Sequence, residues 1–384
     1  MESVQVNSSN RAGHSSGFGY HQFNTFRFAA LFCLFFVIAF GLGYPTLNRY
    51  DPRAVPGLVD VKSYAAIVTG APVPGPEHMR FRVLVPWVAR AFYHLADGRV
   101  HTWNPVMFGL LASDSLFVAA NALLMVVLGT SQLGSYPISL VAALLYLVNF
   151  AVPNLRLVGL VDAGEGFFLL ALLWSVAELR LWWLPVIAVL GALTKESFIP
   201  FNIVFTGAWW LVARRRLQAP GRSAAWIVAS WIVSVAAMTA LHWKITGGVE
   251  NPIHFAAGLR GNDHYLSQFA SSLWDRNFWY VFVWLLPLGI PRLRKFPRSW
   301  LIPTAATSIL VFVLDGYYSG APGTVGRALF STAGPLLALS AALLLLDVAD
   351  PFKPPGAESC TPPAKISSTE SACLPRTCAR CCPI

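Results

Sequence analysis

Asp60 and Tyr64 stand four residues apart, and Arg80 and Arg82 follow in the same stretch between apolar runs. Further on, Asp162 and Glu165 are spaced i, i+3, Lys195-Glu196 interrupts a long apolar region, and Arg327 begins the last apolar run. A carboxylate such as Asp60 can act as a general base by accepting a proton. Arg80, Arg82, Lys195 and Arg327 are cations able to hold a phosphate while negative charge builds on it, arginine through two parallel N–H donors. Ionisable groups inside apolar segments are expensive and point first to function. Asp114, Asp162, Glu165, Lys195 and Glu196 are of that kind. Each group also has a structural reading. Asp162 and Glu165 can pair with Arg156 or Lys195, and Asp114, with Asn121 seven residues on, can hydrogen-bond a neighbouring helix. Arg80, Arg82 and Arg90 can anchor to anionic headgroups, and His264 reads as a loop histidine.

The elements that must carry these groups are membrane helices. The chain has 384 residues, 55% of them hydrophobic and only 12% charged. Soluble domains carry about 25% charged residues, so too few remain to cover two or three soluble surfaces. A disordered chain is excluded too, because it needs low hydrophobicity and high net charge. The net charge of +10 is explained by basic cytoplasmic loops, without nucleic acid as a partner. Arginine outnumbers lysine 22 to 6, the balance of a GC-rich bacterial genome.

A hydrocarbon core needs roughly 20 apolar residues per helix, fewer where a helix ends in a protein-lined cavity. Apolar runs lie near 27–47, 105–128, 135–152, 155–177, 181–194, 197–213, 223–243, 278–290, 300–314 and 327–348. The expected fold is therefore an all-α integral membrane protein of about ten transmembrane helices. With residues 1–26 in the cytoplasm, the basic loops 214–222 and 291–298 also fall inside, as does the tail 349–384. The first run is too long for a signal-peptide core and ends without a cleavage site.

The first outside loop, 48–104, is long enough to need structure of its own. A helix is expected over Asp60–Thr69, with Val61, Tyr64, Ala65 and Val68 on one face. A second is expected over Phe81–Ala96, with an apolar stripe of Leu84, Val88, Ala91 and Leu95. Both suit helices lying flat in the interface, and segment 244–277 suits the same role. Counting 1.5 Å per residue from position 155 puts Asp162 about 10 Å deep, with Glu165 one turn on along the same face. The charged groups then converge on the outer half of the bundle, in a cavity open to the outside. There is no internal repeat, no Walker loop and no Gly-x-Gly-x-x-Gly fingerprint.

The segment Val59-Asp60-Val61-Lys62-Ser63-Tyr64, followed by Phe81-Arg82-Val83-Leu84-Val85-Pro86-Trp87, resembles the GT-C class of polytopic glycosyltransferases, including the GPI mannosyltransferases. Gly191-Ala192-Leu193-Thr194-Lys195-Glu196 and Leu160-Val161-Asp162 resemble segments of predicted bacterial members. The resemblance implies a polyprenyl-phosphate-linked sugar donor, a glycan, lipid or protein acceptor, and an active site facing outside the bacterial cell membrane. It implies Asp60 as general base, with Tyr64, Arg80, Arg82, Asp162, Glu165, Lys195, Glu196 and Arg327 binding substrate. Tyr64 and Trp87 would stack on the sugar or line the lipid groove. A lipid-borne donor also accounts for the missing nucleotide-binding motif. The acidic segment holds Asp60 alone rather than a pair of carboxylates, so no cofactor is expected. A divalent metal stays open as an alternative that nothing in the sequence calls for.

The rival reading is a polytopic transporter or lipid flippase, with its carboxylates as ion relays near the midplane between repeated halves. The absent repeat and the outward clustering of charge weigh against it. The Pro/Ser/Thr-rich tail carries Cys360, Cys373, Cys378, Cys381 and Cys382 with no histidine among them, and reads as disordered rather than as a metal clip.

Overall fold

In the computed structural model the described residues are 25–45, 47, 59–74, 77–99, 101–248, 267, 270, 271, 273–318 and 324–349. Residues 1–24, most of the segment expected to be cytoplasmic, lie outside them, as do His264, the cysteine-bearing tail and most of 244–277. Among the described residues the protein is all-helical.

Among the described residues three helices are long and apolar enough to cross a membrane: α1 (Thr25–Gly43), α4 (Pro105–Leu133) and α9 (Pro220–Thr246). A fourth crossing exists if the pair Val325–Thr332 and Gly334–Leu345, bent by 65°, counts as one span. Each of the ten apolar runs contains helix, but several are shorter or broken. α5 is Tyr136–Val148, α6 Asp162–Ala177, α7 Leu184–Thr194 and α8 Phe198–Ala213. The run near 278–290 divides into α10 (Arg276–Phe282) and α11 (Leu285–Gly289). α12 is Arg298–Tyr318, and the last run divides into α13 (Thr324–Thr332) and α14 (Gly334–Ala349). In segment 48–104, expected to be the first outside loop, α2 is Val59–Thr69 and α3 Leu84–Ala96, with a 3-10 turn at Glu77–Phe81 between them.

α4 is the centre of the bundle, packed by α1, α3, α5 and α6. Its ends follow from its sequence. The Asn104 side chain accepts from the N–H groups of Val106 and Met107, Pro105 opens the first turn, and Gly134 closes the helix with a left-handed φ of 68°. Nearly every face of its N-terminal half is buried, which suits a helix apolar all round.

The helix α2 carries its expected face inward, with Val61, Tyr64 and Val68 buried. In α3 the buried side is Val85, Ala89 and Ala96, while Leu95 is 60% exposed, so the expected stripe is not the packed one. Small residues decide this: Ala89 lets the α3 backbone approach Gly109 of α4, where a Cβ would meet the Ala89 carbonyl.

The run expected to be one helix from 155 is a π turn at Val152–Arg156, an irregular stretch through Val161, and then α6. Pro153 and the positive φ of Gly159 (80°) break it. Asp162 therefore stands at the first residue of a helix, not two turns inside one, and the depth count from 155 does not apply.

Candidate functional site

Three helix ends and one connecting turn bring the charged residues together. α7 stops at Thr194 because Lys195 is extended (φ −160°, ψ 135°), and α8 starts after Ser197. That short break lets Lys195 Nζ reach back to the first turn of α6. It lies 3.1 Å from Asp162 Oδ1 and 3.1 Å from Glu165 Oε2. The Ser197 hydroxyl donates to Glu165 Oε1 at 2.5 Å. Asp162 and Glu165 are thus on one face, as the i, i+3 spacing implies. Carboxylates in the first turn of α6 and a cation just past the end of α7 both complement the helix dipoles. Gly164 makes the approach feasible, since a Cβ there would lie 2.7 Å from Val85 Cγ2 and 3.0 Å from Thr194 Cγ2.

On the other side, Val83 N–H donates to the Leu193 carbonyl at 3.0 Å, satisfying one of the orphan carbonyls at the end of α7. This pins the residue before it, Arg82, beside Glu196. Arg82 Nε donates to Glu196 Oε2 at 2.8 Å and Nη2 donates to Oε1, a bidentate fork. Arg82 Nη1 donates to the Tyr64 hydroxyl at 3.1 Å and approaches Met79 Sδ at 3.5 Å. The electrostatics follow. Burial alone would raise Glu196, but the Arg82 charge and hydrogen bonds pull its carboxyl down to about 2. Burial opposes the Arg82 charge, yet Glu196 and Tyr64 hold its guanidinium well above its ordinary value. Burial pushes the Tyr64 phenol up to about 12, against the pull of Arg82. His78, half-buried on the 3-10 turn, is lowered by burial and then by the Arg82 charge.

A third group completes the cluster. Arg327, in the first turn of α13, places Nε 3.4 Å from Asp162 Oδ1. Arg156 donates from Nη1 to the Asp162 carbonyl at 2.9 Å and from Nη2 to Ser331 Oγ at 2.6 Å. It fits because residue 166 is glycine: a Cβ there would collide with the guanidinium. Beneath it, Asp114 Oδ2 accepts from Gly159 N–H at 3.0 Å and Asn121 Nδ2 donates to the Ala163 carbonyl at 3.5 Å. Both hold the segment leading into α6, which is the structural role their spacing allowed.

Asp162, Glu165, Lys195, Glu196, Arg82, Tyr64 and Arg327 are therefore contiguous. Asp60 is half-buried in the first turn of α2, in electrostatic range of Tyr64 and His78, and Tyr64 also senses Asp162. Asp60 makes no hydrogen bond or ion pair among the described residues. Arg80 is exposed on the 3-10 turn and makes no contact with the cluster. The Tyr64 ring is 1% exposed, so only its hydroxyl reaches the polar groups, whereas Trp87 is 49% exposed. Neither cavity described below is the outward-open one expected around the charges, because the charges are enclosed by one another. The larger cavity, about 670 Å³, is an apolar groove along α9 between Trp231 and Trp243. The smaller lies between α6 and α13, lined by Leu169, Phe205, Thr307 and Ser331 among others.

Ser197, His78 and Ser331 belong to the site although their residue types gave no signal in sequence. Arg156 was visible as a partner for Asp162, but it binds the backbone carbonyl rather than the carboxylate. Among the described residues no three of His, Cys, Asp and Glu converge as a metal would require. Asp162, Glu165 and Glu196 each already pair with Lys or Arg. Comparison with protein families, curated proteins and solved structures finds no match to this chain.

Proposed function

We propose that this chain is a membrane glycosyltransferase that moves a sugar from a lipid-phosphate-linked donor to an acceptor hydroxyl outside the membrane. The observation that carries the reading is the contrast among four neighbouring carboxylates. Asp162, Glu165 and Glu196 are each neutralised by a cation, whereas among the described residues Asp60 is not. A carboxylate left unpaired among the described residues, on the helix whose Tyr64 hydroxyl accepts from Arg82, offers the base that general-base attack on a phosphate-linked carbon needs, with the cations of the cluster to hold the phosphate.

In this reading Asp60 takes the proton of the acceptor hydroxyl as its oxygen attacks the anomeric carbon from the face opposite the phosphate. The carbon–oxygen bond to the phosphate breaks, its electron pair stays on the phosphate oxygen, and the sugar inverts. Lys195 and Arg327 meet the growing negative charge, the phosphate taking over part of the place of the Asp162 carboxylate. Arg82, already held by Glu196 and Tyr64, shapes the wall of the site more than it binds the donor. The donor is a polyprenyl-phosphate sugar and the acceptor a glycan, lipid or protein; nucleic acid has no part. The reading takes the chain to cross a bacterial cell membrane about ten times, with loops 214–222 and 291–298 in the cytoplasm and the cluster on the outer side.

The test is sugar transfer by the purified protein in lipid, supplied with polyprenyl-phosphate sugars. Transfer that disappears in Asp60→Asn supports the reading. Full transfer by that variant removes Asp60 and leaves Asp162 or Glu196 as base. A transporter or flippase is the second reading, favoured by Asp114, which is wholly buried in α4 with Oδ1 lacking a hydrogen-bond partner. Solute flux or lipid flipping in vesicles without any sugar transfer would select it.

A further inference from the structure

Arg156 is 1% exposed, yet no carboxylate oxygen among the described residues lies within ion-pair distance of it. Its donors go to two neutral acceptors, the Asp162 carbonyl and Ser331 Oγ, its guanidinium lies 5.1 Å from the centre of the Phe330 ring, and its Nε has no partner. Burying a charge in this way is unfavourable unless the geometry serves something else.

The contacts close a ring. Arg156 holds the Asp162 carbonyl at 2.9 Å and Ser331 Oγ at 2.6 Å. Ser331 Oγ in turn donates to the backbone carbonyl of Arg327 at 3.4 Å, and Arg327 Nε returns to Asp162 Oδ1 at 3.4 Å. Four residues from the π turn, α6 and α13 thus fix one another. α13 has a particular need for such a tie. It meets α14 at a 65° bend just after Ser331, so the burial of α14 does not by itself set the direction of α13. Arg327 sits one turn before Ser331 on the same helix.

We propose that Arg156 is a positioning residue that, through Ser331, sets where Arg327 stands in the charged cluster and so prepares it to receive a phosphate. The inference rests on the reading of that cluster as the phosphate site. With the α13 backbone held, only the Arg327 side chain has to shift when a phosphate replaces its contact with Asp162. The entropy of ordering the cation is then settled before the ligand arrives.

The experiment uses the full chain in lipid nanodiscs and undecaprenyl phosphate as the probe. Dissociation constants are measured for the wild type, Ser331→Ala, Arg327→Ala and the double variant. Ser331→Ala should weaken binding about 10-fold, the scale of a hydrogen bond to a charged group, and Ser331→Thr, which keeps the hydroxyl, should bind as the wild type does. Arg327→Ala should weaken binding at least as much. The double variant should match Arg327→Ala alone, because the tie then has no cation left to place. Two independent losses that multiply, or wild-type binding by Ser331→Ala, would overturn the proposal. If Ser331→Ala does not fold, Arg156→Lys replaces it in the same cycle, since lysine keeps the charge but cannot span both acceptors. A wild type that does not bind the probe instead removes the phosphate-site reading, and this inference with it.

Discussion

Arg82 and Glu196, 114 positions apart in sequence, meet through both prongs of the guanidinium and both oxygens of the carboxylate. Each side chain is only 12% exposed. The pair joins the 3-10 turn before α3 to the α7–α8 break, and so fastens segment 48–104 to the helix ends that carry Lys195. Removing one partner leaves the other charge nearly enclosed. Arg82→Met or Glu196→Leu alone should each destabilise the protein by about 3 kcal/mol. The double apolar variant should recover much of that loss. Thermal or denaturant unfolding in detergent reads the cycle, and losses that simply add in the double variant would show that the two residues act independently.

The same pair sets an acid limit. The Glu196 carboxyl is lowered from its ordinary 4.5 to about 2 in the folded protein. The unfolded chain therefore binds this proton first, so the stabilisation is full above about pH 4.5 and is lost as pH falls toward 2. His78 adds loss in the same direction at higher pH: its folded value is lowered from 6.5, so its share declines as pH drops through that range. Glu196→Gln should flatten the acid limb of a stability–pH curve, and His78→Gln the limb near pH 6. An unchanged acid limb in Glu196→Gln would place the titration elsewhere.

The proposed sugar transfer turns on Asp60. Asp60→Asn keeps size and most hydrogen-bonding geometry but cannot accept a proton. Turnover should fall by about 10²–10⁴-fold, with donor affinity nearly unchanged. Lys195→Ala should instead weaken donor binding, and slow turnover as well if its contact strengthens as the phosphate leaves. If Asp60 merely stabilises the start of α2, its loss costs about 1 kcal/mol and leaves an active enzyme.

Steric fit around Arg156 provides a test independent of substrate. Gly166→Ala adds a Cβ into the guanidinium, so Arg156 must leave its two acceptors or α6 must shift. A cost of about 1–3 kcal/mol is expected, the range for overpacking a filled core. Gly207→Ala is the control, because a Cβ there meets only ordinary van der Waals contact with Trp231 at 3.6 Å. Equal unfolding midpoints for the two variants would mean Arg156 can move freely.

Sidedness can be read with single cysteines placed at Ala71 and Gln218, both exposed, on a background with the native cysteines replaced. Ala71→Cys should react with an impermeant thiol reagent on intact cells, and Gln218→Cys only after permeabilisation. Labelling of Gln218→Cys from outside would reverse the proposed sides.

The residues alone determined that helices would dominate, that α2 would turn Val61, Tyr64 and Val68 inward, and that Asp162 and Glu165 would share a face. Those features follow from composition and from the fixed periodicity of a helix, which any local stretch of chain expresses. The start of α4 matches the run read from 105, but its end does not: the helix continues past 128 to Leu133 before Gly134 closes it. Helix continuity was legible only in part. The break at Lys195-Glu196 was legible, the runs dividing at 194 and 197 much as α7 and α8 do, but the apolar runs hide the π turn after Ala151 and the bend after Thr332, because hydrophobic content is the same on both sides of each break. Only the folded chain decided that Arg82 belongs to Glu196 while Arg80 stays outside, although both are arginines two residues apart. Sequence distance carries no record of a contact across 114 positions; it is made by the Val83–Leu193 backbone bond and by small residues that let helices approach. The ring of Asp162, Arg156, Ser331 and Arg327 is of the same kind, since each link is a distance between elements and a distance exists only once those elements have packed.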